Sequence, residues 1–495
     1  MTKFALPALS QGEGWQFTIQ IHTDQCGGKI KLGAPAPAEA PMQIQLRPDG
    51  GFSQTHGVCN RFQPGPDTNL SNFAVMNGSC CISSVMVPFR KGHEYTVRMY
   101  PNTGPNMYSV FMSADGGRFV PIAIDYYYTH EAKSDDITDL YTEANEIDFT
   151  ISPAAVTAPM PADAPRSPKI FFVGPARECT DLQAAAFMVQ AGDMVLVDDD
   201  YYHKGSLILP FSGEAGLPII FKGIAKEGKR PVIDGEFEIF AVEASGHYTI
   251  FEGFEVKNAA KAGICHHSHK LEIRDCVIHE CLMGILSDQD IGMGDCEIDR
   301  CELYDNGHEM YSHQIYMATD DARFPGSVIK IHDCHIHDAL GGNNIKSRAY
   351  RNEIYNNRVT NAFYHNMELI GPDPEFNPMD CTQLPHNSDV WDNYFENSRW
   401  YQCRCGGDGT GDSHGTFRFI NNTFVSNFNE SEEEFRVFRF MFGIRRVEAY
   451  GNTFIYQCKR PSSLYRDVNA VWAEGEDCGN RLCGCEPFNT FQDAE

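Results

Sequence analysis

Ile331-His-Asp-Cys-His-Ile336 and Ile354-Tyr-Asn-Asn-Arg-Val359 are two copies of one six-residue phrase, apolar-x-x-(Phe/Cys/Asn)-x-apolar. The phrase occurs eight times, the other six being Phe251/Phe254/Val256, Ile273/Cys276/Ile278, Ile298/Cys301/Leu303, Val390/Asn393/Phe395, Phe419/Asn422/Phe424 and Ala449/Asn452/Phe454. Successive central positions lie 22, 25, 33, 23, 36, 29 and 30 residues apart. Strand-sized segments repeating at this interval define a solenoid, and they are too short for helical repeats. The uneven spacing places the extra length in loops. A central residue facing inward stacks on its equivalent one coil away. Cys276, Cys301 and Cys334 therefore predict a buried thiol stack, and Asn357, Asn393, Asn422 and Asn452 an amide ladder serving the turns. The expected fold is all-β: a right-handed parallel β-helix over 169–460, preceded by an N-terminal antiparallel β-sandwich.

Upstream of the first phrase, Asp181-Leu-Gln-Ala-Ala-Ala-Phe-Met-Val189 predicts a short amphipathic helix, and Gly192-Asp-Met-Val-Leu-Val197 a buried strand. The helix suits the need to cover the open edge of a first coil. Residues 151–168 are rich in Pro and Ala, lack apolar periodicity and predict a linker. Within 1–150, Trp15-Gln-Phe-Thr-Ile-Gln-Ile21, Met42-Gln-Ile-Gln-Leu46 and Tyr95-Thr-Val-Arg-Met99 alternate apolar and polar, with Asp49-Gly-Gly51 and Asp115-Gly-Gly117 as turn signals. That is the pattern of a sandwich, serving as either a carbohydrate-binding or an assembly module. Residues 461–495 predict a Cys-rich tail packed on the last coils.

The 495 residues include 67 Asp and Glu against 40 Lys and Arg, a formal net charge of −27. Such a balance repels nucleic acid and anionic membrane at long range and excludes both as general partners. No apolar run has the length of a membrane span. Met1 to Gln20 has no apolar h-region, so no signal peptide is visible.

Each coil carries a second strand: Gly263-Ile-Cys-His-His267, Gly284-Ile-Leu-Ser-Asp288, Gln314-Ile-Tyr-Met-Ala318, Asn344-Ile-Lys-Ser-Arg348 and Glu368-Leu-Ile-Gly-Pro372. Taking Ile264, Ile285, Ile315, Ile345 and Leu369 as the inward column, alternation sends the first, third and fifth residues outward. The outward grid then holds Gln314, Tyr316, Asn344, Lys346, Arg348 and Glu368, with Asp288 and His267 toward the entry end. Arg, Lys, Asn and Gln donors suit the hydroxyls and carboxylates of an acidic sugar chain, and Tyr316 offers a ring face or a proton. Lys346 beside Arg348 is a candidate base, since a neighbouring cation disfavours protonation. His313 precedes the outward Gln314, so alternation turns it inward. The insertions Ala318–Ser327 and Pro372–Ser388 would wall a groove. A hydrolase would need two carboxylates about 5–9 Å apart, and Glu368 with Asp373 or Asp288 are the candidates.

The run from Asp181 to Asp373 resembles the pectate-lyase-like superfamily, through Ala191-Gly-Asp-Met-Val-Leu-Val197, Arg230-Pro-Val-Ile-Asp-Gly235 and Phe251-Glu-Gly-Phe-Glu-Val256. With the later coils, the resemblance covers about 60% of the chain; it implies the fold and leaves lyase, hydrolase, epimerase and non-catalytic surface protein open. Asn344-Ile-Lys-Ser-Arg348 and the following Arg351-Asn-Glu-Ile-Tyr-Asn-Asn357 also resemble the alginate and chondroitin-type lyases of this fold. That resemblance implies Lys346 as the base beside the uronate carboxylate and a calcium ion neutralising that carboxylate. Two parts of the pattern are missing. Met367-Glu-Leu-Ile-Gly371 stands where an arginine belongs, and Gly341-Gly-Asn-Asn344 where the acidic calcium ligands belong. Tyr316, His313 or His365 would then supply the acid.

Other residues carry weaker signals. His266, His267 and His269 are a possible transition-metal group without a known ligand spacing. Asp198-Asp-Asp200 and Asp408-Gly-Thr-Gly-Asp412 have the oxygen-rich look of calcium loops but no EF-hand spacing. Cys403, Cys405, Cys478, Cys483 and Cys485 are candidates for disulfides tying the tail to the last coils, and Cys26, Cys59, Cys80 and Cys81 for bridges in the sandwich. Bridges, with Asn-x-Ser/Thr sites at Asn69, Asn77, Asn421 and Asn429, point to an extracellular or cell-surface setting. The sequence thus predicts a polysaccharide-active lyase or epimerase acting on an acidic glycan, with Lys346, Tyr316, Arg348 and Glu368 at its centre. Gln314, Asn344, Asp288, His267 and His365 would bind substrate. The alternatives are a self-assembling, non-catalytic surface-layer or adhesive subunit and a hydrolase using Glu368.

Overall fold

The computed structural model describes residues 1–483 apart from 24–25, 37–38, 48–70, 79, 102, 130–131, 133–135, 146–148, 153–155, 288–291, 373–383, 408–410, 428–436, 442, 457–464 and 468–473. Three parallel sheets of 12, 11 and 10 strands run the length of the second domain, each strand bonded to its equivalent in the next coil. This is the right-handed parallel β-helix expected from the repeat. One coil is Leu271–Arg274 in the first sheet, Val277–His279 in the second and Met283–Ser287 in the third. The quoted phrase spans the corner between the first and second sheets.

The corner has a simple physical cause. The residue before each central position adopts a left-handed conformation: Asp275 (φ 46°), Arg300 (51°), Asp333 (55°), Asn356 (54°), Asp392 (57°) and Asn421 (54°). Asp and Asn tolerate this conformation best among non-glycine residues, which explains their recurrence there. The central residue then turns into the core. Asn357 Nδ2 donates to Asn393 Oδ1 (3.0 Å), Asn393 to Asn422 (2.9 Å), Asn422 to Asn452 (3.0 Å) and Asn452 to Asn480 (3.1 Å). The same amides also donate to the Ile331, Ile354, Val390 and Phe419 carbonyls. Cys276, Cys301 and Cys334 form the buried stack below, the Cys334 thiol accepting from the Cys301 amide at 3.4 Å.

The helix extends beyond the eight phrases at both ends. Ile170–Val173, Met194–Val197 and Ile219–Gly223 begin the first sheet, and Glu474–Cys478 ends it. The segment expected as a Cys-rich tail thus supplies strands Tyr465–Asp467, Glu474–Cys478 and Arg481–Cys483, one to each sheet. It lacks apolar alternation, which hid it. At the entry, Leu182–Ala186 is a helix capped by Asp181, which accepts from the Gln183 amide at 2.9 Å. Gln183 also pairs with both backbone groups of Ile208 on an edge strand (2.8 and 2.9 Å), so a side-chain amide stands in for the missing neighbour.

The described residues of 1–159 form the sandwich, two antiparallel sheets around Trp15, Phe17, Ile44, Phe73, Val97 and Tyr108. The expected linker starts later than 151, because Val156–Pro159 pairs with Glu13–Gln16 as an edge strand. The sandwich is docked on the third sheet of the helix. Met86 packs with Phe240, Cys265 and Leu286, its amide donates to Glu243 (3.3 Å), and Arg90 pairs with Glu238. Arg323, from the Thr319–Ser327 loop, donates to the Asp125 and Ile124 carbonyls.

The proposed disulfides do not appear among the side chains described. Cys403 and Cys405 are thiols on one strand with Sγ atoms 3.3 Å apart, both facing the helix core rather than the tail. Cys26 is buried with its thiol on the Thr23 carbonyl. The side chains of Cys59, Cys80, Cys81, Cys478, Cys483 and Cys485 lie outside the described residues.

The ladder predicts its own energetics. Asn393→Ala removes partners from the buried Asn357 amide and the Ile354 carbonyl, each worth about 1–3 kcal/mol when left unmade. Urea unfolding should register a loss of about 2–4 kcal/mol, against about 1 kcal/mol for Cys334→Ala in the thiol stack. Equal losses would deny the ladder its role.

Candidate functional site

The third sheet places one outward row across successive coils. Its register runs Glu243, Cys265, Leu286, Tyr316, Lys346, Glu368, Arg404, Arg439. The sandwich covers the first three, and Tyr316 packs at its margin. From Tyr316 onward the row becomes polar. The edge of the sandwich therefore coincides with a change in chemistry along the sheet.

The register corrects one expectation. Ile345 is level with Met367, not Leu369, so Glu368 lies beside Lys346 rather than Asn344. The Lys346 ammonium is 3.5 Å from Glu368 Oε2 and 4.9 Å from the centre of the Tyr316 ring. Arg404 pairs with Glu368 Oε1, and Asn343 Nδ2 donates to Oε2 at 2.8 Å. Burial alone would raise the Glu368 carboxyl. Lys346 and Arg404, then His365 and His313, override it and hold the group well below the usual carboxylate range. Glu368 is thus an ionised hub between two cations, not a proton donor. Asp288 and Asp373, its expected carboxylate partners, lie outside the described residues.

Arg348 does not act on Lys346 as expected. Its Nε donates to the Tyr316 hydroxyl oxygen (3.0 Å) and its Nη1 to the Gly371 carbonyl (2.8 Å), and it is buried. The group facing Lys346 is a carboxylate, so the cation-cation premise for a basic Lys346 does not hold.

Gln314 and Asn344 are wholly buried rather than outward. Their strands begin one residue later, at Ile315 and Ile345, so strand alternation does not reach them. They line a corner instead. Gln314 donates to the His337 carbonyl (2.7 Å), and Asn344 to Thr360 O and Asn366 Oδ1 (2.9 and 2.8 Å). Asn366 passes the chain on to Gln402, which donates to Ser426. This second polar ladder was missed because its members are mixed in type. His267 is also buried, in the seam beside Ile122, Tyr126 and Arg323, where burial drives its pKa down to about 3. His266 and His269 do not join it as a metal group: His266 faces the Gly294 carbonyl, and His269 stacks on Phe324 at 4.5 Å.

His313 and His365 sit beneath the row. Burial lowers their pKa values to about 3 and about 4. His313 Nδ1 accepts from the Asn343 amide (2.9 Å) and His365 Nδ1 from the Tyr401 amide (3.2 Å). Both are neutral near pH 7 and unsuited to donate as imidazolium. Beside them is an aromatic group that the sequence pattern did not single out. The Tyr364 ring centre lies 4.1 Å from that of His365 and 4.9 Å from that of Trp400, a residue 37% exposed. Tyr364 feels the charges of Arg404, Arg439 and Glu368, so the aromatic surface and the cationic row adjoin.

Among the described residues, those at the place implied for a calcium ion do not fit it. Both Glu368 oxygens are engaged by cations and Asn343, and Gly341-Gly342 is overlaid by the preceding turn. A Cβ on Gly341 would lie 2.3 Å from the His308 amide nitrogen, and one on Gly342 (φ 48°) 2.2 Å from Ser312 O. Asp198 of the acidic run is paired bidentately with Arg177 (2.6 and 2.7 Å). Asp408 lies outside the described residues.

No protein-family model matches the sequence, and no curated protein matches it. Among solved structures, the chain is similar to an alginate lyase from Paenibacillus sp. str. FPU-7 (15% identity, 64% of this chain and 99% of that one, TM-score 0.39). It is similar also to a GH136 lacto-N-biosidase from Eubacterium ramulus (14% identity, 64% and 68%, TM-score 0.37). A third is the catalytic unit of a GH87 α-1,3-glucanase from Streptomyces thermodiastaticus strain HF3-3 (10% identity, 99% and 89%, TM-score 0.35).

The ion-paired hub has a pH signature. At pH 7 Glu368→Gln leaves Lys346 and Arg404 without their counter-charge, a loss of about 3–5 kcal/mol for a broken buried pair. Because the folded-state pKa is depressed, the carboxylate's contribution is complete above the unfolded value of about 4.3 and fades as pH falls below it. Urea unfolding should show the wild-type advantage over Glu368→Gln shrinking between pH 5 and 3. An advantage unchanged over that interval would contradict an ionised hub.

Proposed function

We propose that the row from Tyr316 to Arg439 binds an acidic, uronate-containing glycan and cleaves it by β-elimination. The observation that carries this reading is the row itself. Lys346, Glu368, Arg404 and Arg439 occupy four successive coils, three cations and one carboxylate, with Glu368 pairing with the cation on either side. An exposed tryptophan lies beside them. Coils are about 4.8 Å apart, close to the length of a sugar ring, so a chain lying along the helix axis would meet a cation at nearly every residue. Trp400 and Tyr364 offer apolar faces for the sugar rings.

In this reading Lys346, Arg404 and Arg439 hold the carboxylates of successive uronates, and neutralising the one beside Lys346 makes its C5 proton removable. The proton-carrying role belongs to Tyr316 rather than Lys346, because Lys346 is committed to Glu368. The Tyr316 oxygen takes the C5 proton, the C5–H electron pair forms the C4–C5 double bond, and the C4–O4 bond breaks. Tyr316 does this in its deprotonated form, whose charge Arg348 Nε faces; between the two transfers it is a neutral phenol, and giving the same proton to O4 of the leaving sugar restores the phenolate. Glu368, Asn343 and His313 position the two cations.

The test is a panel of acidic and neutral polysaccharides followed by near-ultraviolet absorbance and reducing ends together. A lyase gains absorbance on a uronate polymer. Tyr316→Phe should lower that rate by about 10²–10⁴-fold while leaving binding intact. Lys346→Met should raise KM more than it lowers kcat, about tenfold or more for a lost carboxylate contact. Reducing ends without absorbance would replace elimination by hydrolysis. No turnover on any polymer, with ordered assemblies seen by electron microscopy, would favour the structural subunit.

A further inference from the structure

The second sheet carries a cluster unrelated to the row above. Glu302 and His335 are level with each other on adjacent coils, and His337, two residues on, shares the same face. One ligand atom from each residue lies within 4.8 Å of the others. Glu302 Oε1 is 3.3 Å from His337 Nε2 and 3.6 Å from His335 Nδ1. These separations are long for hydrogen bonds to a carboxylate, which favour about 2.7–2.9 Å. They match the edges of a tetrahedron whose centre lies about 2.0–2.1 Å from each ligand, about 3.3–3.4 Å apart.

The imidazoles are held from outside the cluster. His337 Nδ1 donates to Asp338 Oδ2 at 2.7 Å, which leaves Nε2 as the lone-pair nitrogen, and Asn361 fixes the other Asp338 oxygen at 2.8 Å. A carboxylate behind a histidine is the usual outer support of a metal ligand. The His337 ring is clamped between Tyr304 (5.3 Å) and His335 (4.0 Å between ring centres). Among the described residues no lysine or arginine is paired with Glu302. Arg358, the residue opposite His335 on the next coil, is directed to Glu396 (3.5 Å) and the Tyr394 ring (4.6 Å).

We propose that Glu302, His335 and His337 form a site for one divalent transition-metal ion of the imidazole-preferring kind, such as Zn²⁺. The partly exposed His335 and Glu302 leave its remaining coordination position to solvent. A second group on the first sheet, Asp299, His332 and Asp333, is the built-in contrast. It offers a single imidazole, whose Nδ1 is bonded to Asp333 as that of His337 is to Asp338, and Arg300 pairs with Asp299, so it is an ion-pair network. Because Glu302 and the two histidines belong to different coils, the ion would staple one turn of the helix to the next. It would stabilise the protein in proportion to its free concentration.

The experiment uses the untagged full chain, stripped with chelator and titrated with Zn²⁺ by calorimetry and with Co²⁺ by visible absorbance. One ion per chain, tetrahedral Co²⁺ bands and a rise in the thermal midpoint with Zn²⁺ are expected. His335→Ala, His337→Ala and Glu302→Gln should lose the ion, and Asp338→Asn should weaken it about 10–100-fold. His332→Ala should bind as wild type does. Thermal midpoints of the metal-free variants, compared with metal-free wild type, separate lost binding from lost folding. Absence of uptake by the wild-type chain, or uptake that survives the His335→Ala/His337→Ala double substitution, would overturn the proposal.

Discussion

The amide ladder from Asn357 to Asn480 does two jobs in each coil. It satisfies backbone groups that the corner would leave buried and unpaired, and it fixes the register of each coil on the next. Without a fixed register a parallel solenoid has no rows, since a one-residue slip exchanges the faces of a strand. The left-handed residue before each ladder position supplies the bend, and the asparagine or cysteine after it locks the bend in place. Both proposed sites are built from residues on successive coils, and their alignment depends on that lock.

One row changes character along its length. Near the entry it is Glu243, Cys265 and Leu286, sealed by Met86 of the sandwich. Beyond Tyr316 it is Lys346, Glu368, Arg404 and Arg439, and among the described residues the sandwich core does not extend over them. The net charge of −27 makes this clustering of cations all the more local. Glu368 keeps it from flying apart: a buried carboxylate between two cations offsets their mutual repulsion and leaves a net positive strip. The edge of the sandwich thus marks where the row turns polar.

The repeat was legible because stacking imposes the same residue type at the same place, coil after coil. Asn393 and Cys301 announce themselves by recurrence, and the parity of Tyr316, Lys346 and Glu368 follows from strand alternation. Three kinds of feature were not legible. Corner residues such as Gln314 and Asn344 look outward by parity but belong to a turn, where parity has no meaning. The two-residue shift that brings Met367 rather than Leu369 level with Ile345 is set by the length of the corner at Phe363–Asn366, which no local pattern encodes. Contacts between distant segments, such as His267 under the sandwich or Trp400 beside Tyr364, depend on how the two domains and the corners meet. The last coil escaped because Glu474–Cys478 lacks apolar alternation. The Glu302–His335–His337 cluster escaped because its members come together only across coils, 33 residues apart.

The central claim is that an acidic glycan lies along the polar half of the third sheet. Hydrogen–deuterium exchange of the intact chain with and without a saturating uronate oligosaccharide tests it most directly, because it locates the ligand without assuming a reaction. Protection confined to the strands of Tyr316, Lys346, Glu368, Arg404 and Arg439 and the corner bearing Tyr364 and Trp400 is the predicted result. Protection centred on the sandwich or on the second sheet, with the row unchanged, would contradict it.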